Sequence, residues 1–390
     1  MLTVNQSSVC LAALLVGMAL GGAMARDRAW GGEPRLNQIQ VIGTHNSYRL
    51  APLPPIQKLI AAARKRDAEA LDYEHRPLAE QFTRLGVRQI ELDLYADPKG
   101  GLFASPSALK MIRGKGNEPG PPFDEAGLLK KPGLKVLHIP DIDYRTTVPT
   151  FLIALRQIRD WSQAHRDHAP ILVLVELKDE SIPALPTRPI PFGAAELDAV
   201  DAEIRSVFTP LELLTPDRLR GRHSSLVEAI RVGGWPMLDA CRGLVFFALD
   251  NEGAIRDRYL DGHPSLRGRV MFATVDSGDP AAAWFKINDP VAHFDRIQQL
   301  VCSGYLVRTR ADADTRQART GDVTMRDKAL ASGAQFISTD YPVPDPRFPS
   351  YSVRFGGGIV VRSNPVTGDP AWKGVDLERK PRPGPVKPGP

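Results

Sequence analysis

The feature that most constrains this chain is an alternation. Short apolar runs, each the length of a strand, are separated by segments with helical periodicity from Gln38 to Ser338. The runs at 38–42, 87–95, 135–139, 171–177, 243–249, 269–273, 304–308 and 334–338 read as strands. Between them Ile56, Leu59, Ile60 and Ala63 recur at helical spacing, and Val148, Phe151, Leu152, Leu155, Ile158 and Trp161 do so again. Segments 77–85, 193–208, 224–232, 291–301 and 314–332 also read as helices. Ile171-Leu-Val-Leu-Val-Glu-Leu177 is apolar on both faces, as suits a parallel strand covered by helices. Eight such strands alternating with helices predict an α/β chain closed into a (βα)8 TIM-type barrel.

A length of 390 residues with 43% hydrophobic and 24% charged residues supports a core of that size. The ends fall outside it. Residues 9–25 form a short apolar run closing on Ala23-Met24-Ala25, the small-x-small pattern of a signal-peptidase site. Residues 1–25 therefore read as a signal peptide, and the protein as secreted or periplasmic. The alternative is a retained anchor, because Met1 to Ser8 carries no Lys or Arg. The barrel is expected over 26–355, followed by a turn-rich, Pro-rich basic tail over 356–390. Asp97 to Pro132, with Pro-Gly-Pro-Pro at 119–122, reads as a long loop. Cys241 and Cys302 can pair or remain thiols, and their spacing offers no zinc site. The net charge of +5 is mild and no basic stripe is interleaved with aromatics, which argues against nucleic acid as a partner.

Several strands end in residues that apolar packing does not explain. The first ends at His45-Asn46, the second carries Glu91 and Asp93 on one face, the third His138, and the fourth Glu176 and Lys178. Asp250-Asn251, Arg308, Arg310 and Asp340 close later strands. In a barrel all these ends converge on one rim. Asn46, Glu91, Asp93 and Glu176 would then form an all-oxygen set, which suits calcium or magnesium rather than zinc. Two histidines beside such a cation suit phosphodiester cleavage, one stabilising phosphoryl oxygens and the other protonating the leaving alkoxide. Each residue also has a structural reading. Glu176 and Lys178 can satisfy each other, and Arg308 and Arg310 can hold rim carboxylates as readily as a substrate phosphate.

Gly43-Thr-His-Asn-Ser47, Ile90-Glu-Leu-Asp-Leu94, Val136-Leu-His-Ile139 and Leu174-Val-Glu-Leu-Lys178, in that order, resemble the phosphatidylinositol-specific phospholipase C superfamily, and its calcium-dependent bacterial branch most of all. Tyr305–Asp312 and Ser332–Pro342 share the likeness, which spans roughly residues 37–350. The resemblance implies a phospholipase-C-type phosphodiesterase barrel with calcium on Asn46, Glu91, Asp93 and Glu176, magnesium being the weaker choice. It implies His45 and His138 as the catalytic pair, with His45 on the phosphoryl oxygens, His138 as general acid and Glu91 as the possible base. The inositol 2-hydroxyl would attack phosphorus, releasing diacylglycerol and a cyclic inositol phosphate from a phospholipid at a membrane surface. Lys178, Arg308 and Asp340 are assigned to substrate contact. Metal-independent relatives place an Asp after the first His and an Arg where the metal would be. Asn46, Glu91 and Asp93 stand here instead. Rival readings are a glycerophosphodiester phosphodiesterase, a sphingomyelinase-D-like lipase, and an inactive lipid-binding barrel. The first usually shows His-Arg-Gly where this chain has His45-Asn46-Ser47.

Overall fold

A computed structural model describes residues 32–114 and 124–379. The N-terminal apolar run and residues 380–390 lie outside it, and with them the expected signal peptide and the end of the tail. In chain order the strands are β1 (Ile39–Thr44), β2 (Gln89–Tyr95), β3 (Lys135–Val136), β4 (Ile171–Leu177), β5 (Val245–Leu249), β6 (Met271–Ala273), β7 (Trp284–Lys286), β8 (Leu306–Arg310), β9 (Phe336–Thr339) and β10 (Val361–Ser363). Eight of them run parallel in the order β6-β5-β4-β2-β1-β9-β8-β7. A parallel bridge from Thr274 to Trp284 joins the two outer strands and nearly closes the barrel.

The expected number of barrel strands holds, but its membership changes. The run expected as a third strand, 135–139, pairs antiparallel to β2 over two residues and lies off the barrel path. It is cut short because the chain turns back through Asp141 (φ 74°), letting Ile139 and Asp143 bridge each other. In its place stands β7, three residues with no described helix between it and β6. Its apolar run, Ala281-Ala-Ala-Trp-Phe285, is mostly alanine, which carries little strand preference, so it does not read as a strand.

The helices read from periodicity cover the barrel. Phe151–Ala164 is capped by Thr150, whose Oγ1 accepts from Ile153 N at 3.3 Å, and its Phe151, Leu155, Ile158 and Trp161 are buried against neighbouring helices and strands. Gly43 is needed where β1 meets β2. A Cβ there would lie 2.0 Å from Gln89 Oε1. The loop after β2 is partly ordered into a helix, Ser107–Gly114, whose Ala108 and Ile112 join Ile56, Ile60, Leu71 and Tyr144 in a satellite core. At the other end β10 lies antiparallel to β1, and Val361 and Leu377 are buried there. Cys241 is a buried free thiol, so it forms no bridge with Cys302. Among the described residues no helix is long and apolar enough to cross a membrane.

Candidate active site

The turn after β1 builds the first part of the site. Ser47 N donates to Glu91 O (3.0 Å), and Glu91 N donates back to Ser47 Oγ (2.8 Å), so the end of β1 is locked to the middle of β2. Asn46 adopts φ 30°, a conformation that asparagine tolerates better than most side chains, and Arg49 N closes the turn on Asn46 O at 2.9 Å. This geometry sends His45 and Asn46 toward the residues of β2.

His45 is held at Nδ1 and faces Glu91 with Nε2. Nδ1 lies 2.7 Å from Asp340 Oδ1, at the end of β9, and Nε2 lies 3.6 Å from Glu91 Oε1. Burial and then Arg310 lower the imidazole to about 3. Burial also opposes ionisation of Asp340, but His45 and Arg310 outweigh it and hold the carboxyl at about 2. We read the pair as a neutral imidazole donating Nδ1–H to a carboxylate, since desolvation and two nearby guanidiniums all disfavour a second proton on His45. Behind it, Asp312 Oδ1 accepts from Asp340 N (2.8 Å), which fixes the acceptor.

Glu91, Asp93 and Glu176 each place a carboxylate oxygen within 4.8 Å of the other two. Two protein cations lie on this trio. Lys178 Nζ is 3.0 Å from Glu176 Oε2 and 3.3 Å from Asp93 Oδ2, while Arg308 donates to Glu91 Oε2 at 2.6 Å. They do not cancel the burial. Glu91 is pushed up to about 7 by desolvation against the pull of Arg308, and desolvation pushes Asp93 well up despite Lys178. Buried carboxylates crowded this way gain from a further cation.

Asn46 sits directly against this trio. One atom of its amide lies 2.8 Å from Asp93 Oδ1 and 3.3 Å from Oδ2. Nitrogen is the atom that satisfies this contact, donating to the carboxylate while the amide oxygen accepts from Tyr73 OH (3.3 Å), and the oxygen would turn to the trio only if a cation were bound there. The donor set is oxygen throughout, so the residues fit a hard divalent ion.

His138 follows β3, off the barrel path, and its backbone oxygen accepts from Tyr95 OH at the end of β2 (2.9 Å). Its Nδ1 lies 2.7 Å from Asp143 Oδ2, and burial lowers its basicity while Asp143 works the other way. Asp143 also takes Arg49 Nε at 2.6 Å. Both histidines therefore have an aspartate on Nδ1. The structure brings His45, Asn46, Glu91, Asp93, Glu176, Lys178, Arg308 and Asp340 into one contiguous network of contacts. It places Lys178, Arg308 and Asp340 on carboxylates and on His45 rather than free toward a ligand. Sequence reasoning missed Asp143, Arg49 and Asp312. The last lies in the Tyr305–Asp312 segment that carried the likeness, but no periodicity marks the other two.

Fold and site together are those of a parallel barrel with a carboxylate cluster that could hold a cation and two histidines each held by an aspartate. The sequence model of the calcium-dependent phosphoinositide phospholipases C matches residues 34–365, and the chain belongs to that family of phosphoric diester hydrolases. No curated protein sequence matches the chain. Among solved structures it is similar to a calcium-dependent phosphoinositol-specific phospholipase C from a Gram-negative bacterium, Pseudomonas sp., in an apo crystal form, at 14% identity over 87% of this chain and 97% of that one, with a TM-score of 0.52. A myoinositol complex of such an enzyme from the same organism gives 14% identity, 85% and 96% coverage and a TM-score of 0.53. At these identities the likeness establishes the fold.

Proposed function

We propose that this protein cleaves phosphatidylinositol, or a related inositol glycerophospholipid, at a membrane surface outside the cytoplasm, giving diacylglycerol and a cyclic inositol phosphate. The observation that carries this reading is the pairing of an all-oxygen carboxylate cluster with two histidines whose Nδ1 atoms are each held by an aspartate. Calcium rather than magnesium is the proposed ion, held by Asn46, Glu91, Asp93 and Glu176. Flexible carboxylate and amide ligands suit it better than the strict octahedron magnesium requires. When bound, it supplies positive charge to the phosphoryl oxygens and lowers the pKa of the attacking hydroxyl.

The protein's own residues handle the protons. As the 2-hydroxyl attacks phosphorus, its proton passes to the Glu91–His45 pair, whose Oε1 and Nε2 lie 3.6 Å apart. Between the anionic phosphoryl group and Asp340, His45 takes on Nε2 the second proton that burial and the guanidiniums withhold from it in the free protein, and the cation so formed stabilises the phosphoryl oxygens. The P–O bond to diacylglycerol breaks, and His138 Nε2 protonates the departing oxygen. Lys178 and Arg308 now hold Glu176 and Glu91, and with a cation on those carboxylates they would be available to the anionic substrate.

Phosphatidylinositol vesicles incubated with the protein test this reading, with calcium and with a chelator. Calcium-dependent release of cyclic inositol phosphate, lost in His45→Ala, is expected. Equal release in chelator would remove the metal from the account, and cleavage of glycerophosphodiesters but no inositol lipid would replace the substrate.

A further inference from the structure

We propose that Arg49 and Asp143 are positioning residues for His138, so that the single turn after β1 sets both histidines. The proposal rests on the reading of His138 as the acid. It starts from Arg49, three positions beyond Asn46 and fully buried. Its guanidinium donates through Nε to Asp143 Oδ2 (2.6 Å), through Nη1 to Tyr73 O (2.5 Å) and through Nη2 to Leu71 O, and it lies 4.4 Å from the Tyr73 ring centroid. The backbone repeats the link. Arg49 bridges Thr146, Leu50 N donates to Arg145 O (3.2 Å), and Thr147 N donates to Tyr48 O (2.8 Å). Asp143 is tied in turn to the loop that carries His138, exchanging hydrogen bonds with Ile139 at 3.0 and 3.1 Å.

These contacts dictate which nitrogen of His138 carries a proton. A buried carboxylate with only an imidazole partner would tend to protonate. Arg49 cannot give up its proton, and it keeps Asp143 ionised and therefore an acceptor only. The Nδ1 of His138, 2.7 Å from Asp143 Oδ2, must then be the protonated nitrogen. Nε2 is left as the ring nitrogen for substrate, able to take a proton from solvent and deliver it to the leaving oxygen. Both donors meet on Oδ2 while Oδ1 is buried without a partner among the described residues, so Arg49 is the one described side chain that orients the carboxylate for His138.

The test is nitrogen-15 NMR of the His138 ring in the full chain, alongside steady-state kinetics on phosphatidylinositol vesicles. Wild type should show Nδ1 protonated and Nε2 bare at neutral pH. Asp143→Asn can donate its amide to Nδ1, so this signature should be lost, with kcat down by about 10–100-fold and KM and calcium affinity little changed. Arg49→Lys keeps the charge but not the fork of three directed bonds. It should fold, weaken the signature and lower kcat by a smaller factor, which carries the test should Asp143→Asn fail to fold. A wild-type proton on Nε2 overturns the proposal, and so does an Arg49→Lys protein with unchanged tautomer and kcat. If the signature responds as expected while wild type cleaves no inositol lipid, the positioning stands and the functional reading falls.

Discussion

The barrel buries carboxylates at both ends and treats them in opposite ways. At the N-terminal end, beneath β2 and β4, Glu378 accepts from Arg88 Nε (2.6 Å), from Arg88 Nη2 and from Ala169 N (2.9 Å). Arg88 spends Nη1 on Phe82 O and Val87 O and lies 5.0 Å from the Trp161 ring centroid. Burial works against Glu378, yet these donors hold its carboxyl below the usual range. At the C-terminal rim, burial wins over the available cations, and Glu91 and Asp93 are raised. The lower cluster is complete as it stands and serves stability. The upper one is short of positive charge, as expected of a site that receives some.

The largest effect expected from this contrast is at the rim. His45→Ala should cost about 10²–10⁴-fold in kcat on inositol lipid, the range of a general acid–base group, while the thermal midpoint shifts little. An unfolded variant would place His45 with the structural residues instead. At the other end the pattern should invert. Glu378→Gln leaves the guanidinium of Arg88 buried without its charge partner and should destabilise by about 3–5 kcal/mol in urea unfolding, with the turnover of the folded fraction unchanged. A mild loss would mean that the lower cluster is as solvated as a surface pair.

His168, beside the lower cluster, gives the contrast a pH dependence. Burial lowers it to about 4, so the fold favours the neutral ring, which Ser162 Oγ meets at 2.7 Å. The unfolded chain takes up the proton nearer 6.5. Its contribution is therefore complete above pH 6.5 and is lost as pH falls toward 4, by up to about 3 kcal/mol. Unfolding midpoints between pH 7 and 4 should fall accordingly, and His168→Gln should flatten the curve. A slope unchanged by that substitution would assign the acid sensitivity elsewhere. The smallest effect concerns Lys178. Its ammonium already neutralises Asp93 and Glu176, so an incoming cation competes with it. Lys178→Met should raise calcium affinity by about tenfold, the scale of one partly exposed ion pair, and lower the stability of the calcium-free protein. Weaker binding in the variant would contradict competition.

What could be read from the chain was whatever lay on a long strand. β4 is apolar on both faces, and Glu176 stands out at its end. His45, Glu91 and Asp93 interrupt apolar runs in the same way. Contacts made by ring closure were out of reach. Asp340 looked like a group for substrate, because its hold on His45 joins positions 295 residues apart through the pairing of β1 with β9. Arg49 and Asp143 sit in turns, where no period marks a side chain as buried. The short β7 lay at the end of an alanine-rich run with weak strand preference, and a strand outside the barrel stood in for it. The eight-strand expectation thus held through two compensating differences.

Calcium binding by the rim carboxylates is measured directly, without reference to turnover, by isothermal titration calorimetry of the lipid-free protein. One calcium per chain should bind, and Asp93→Asn, which keeps the shape and removes a charge from the centre of the trio, should weaken or abolish it while leaving the thermal midpoint near that of wild type. Unchanged binding in that variant, or no binding by wild type, would contradict the assignment of the rim as a calcium site.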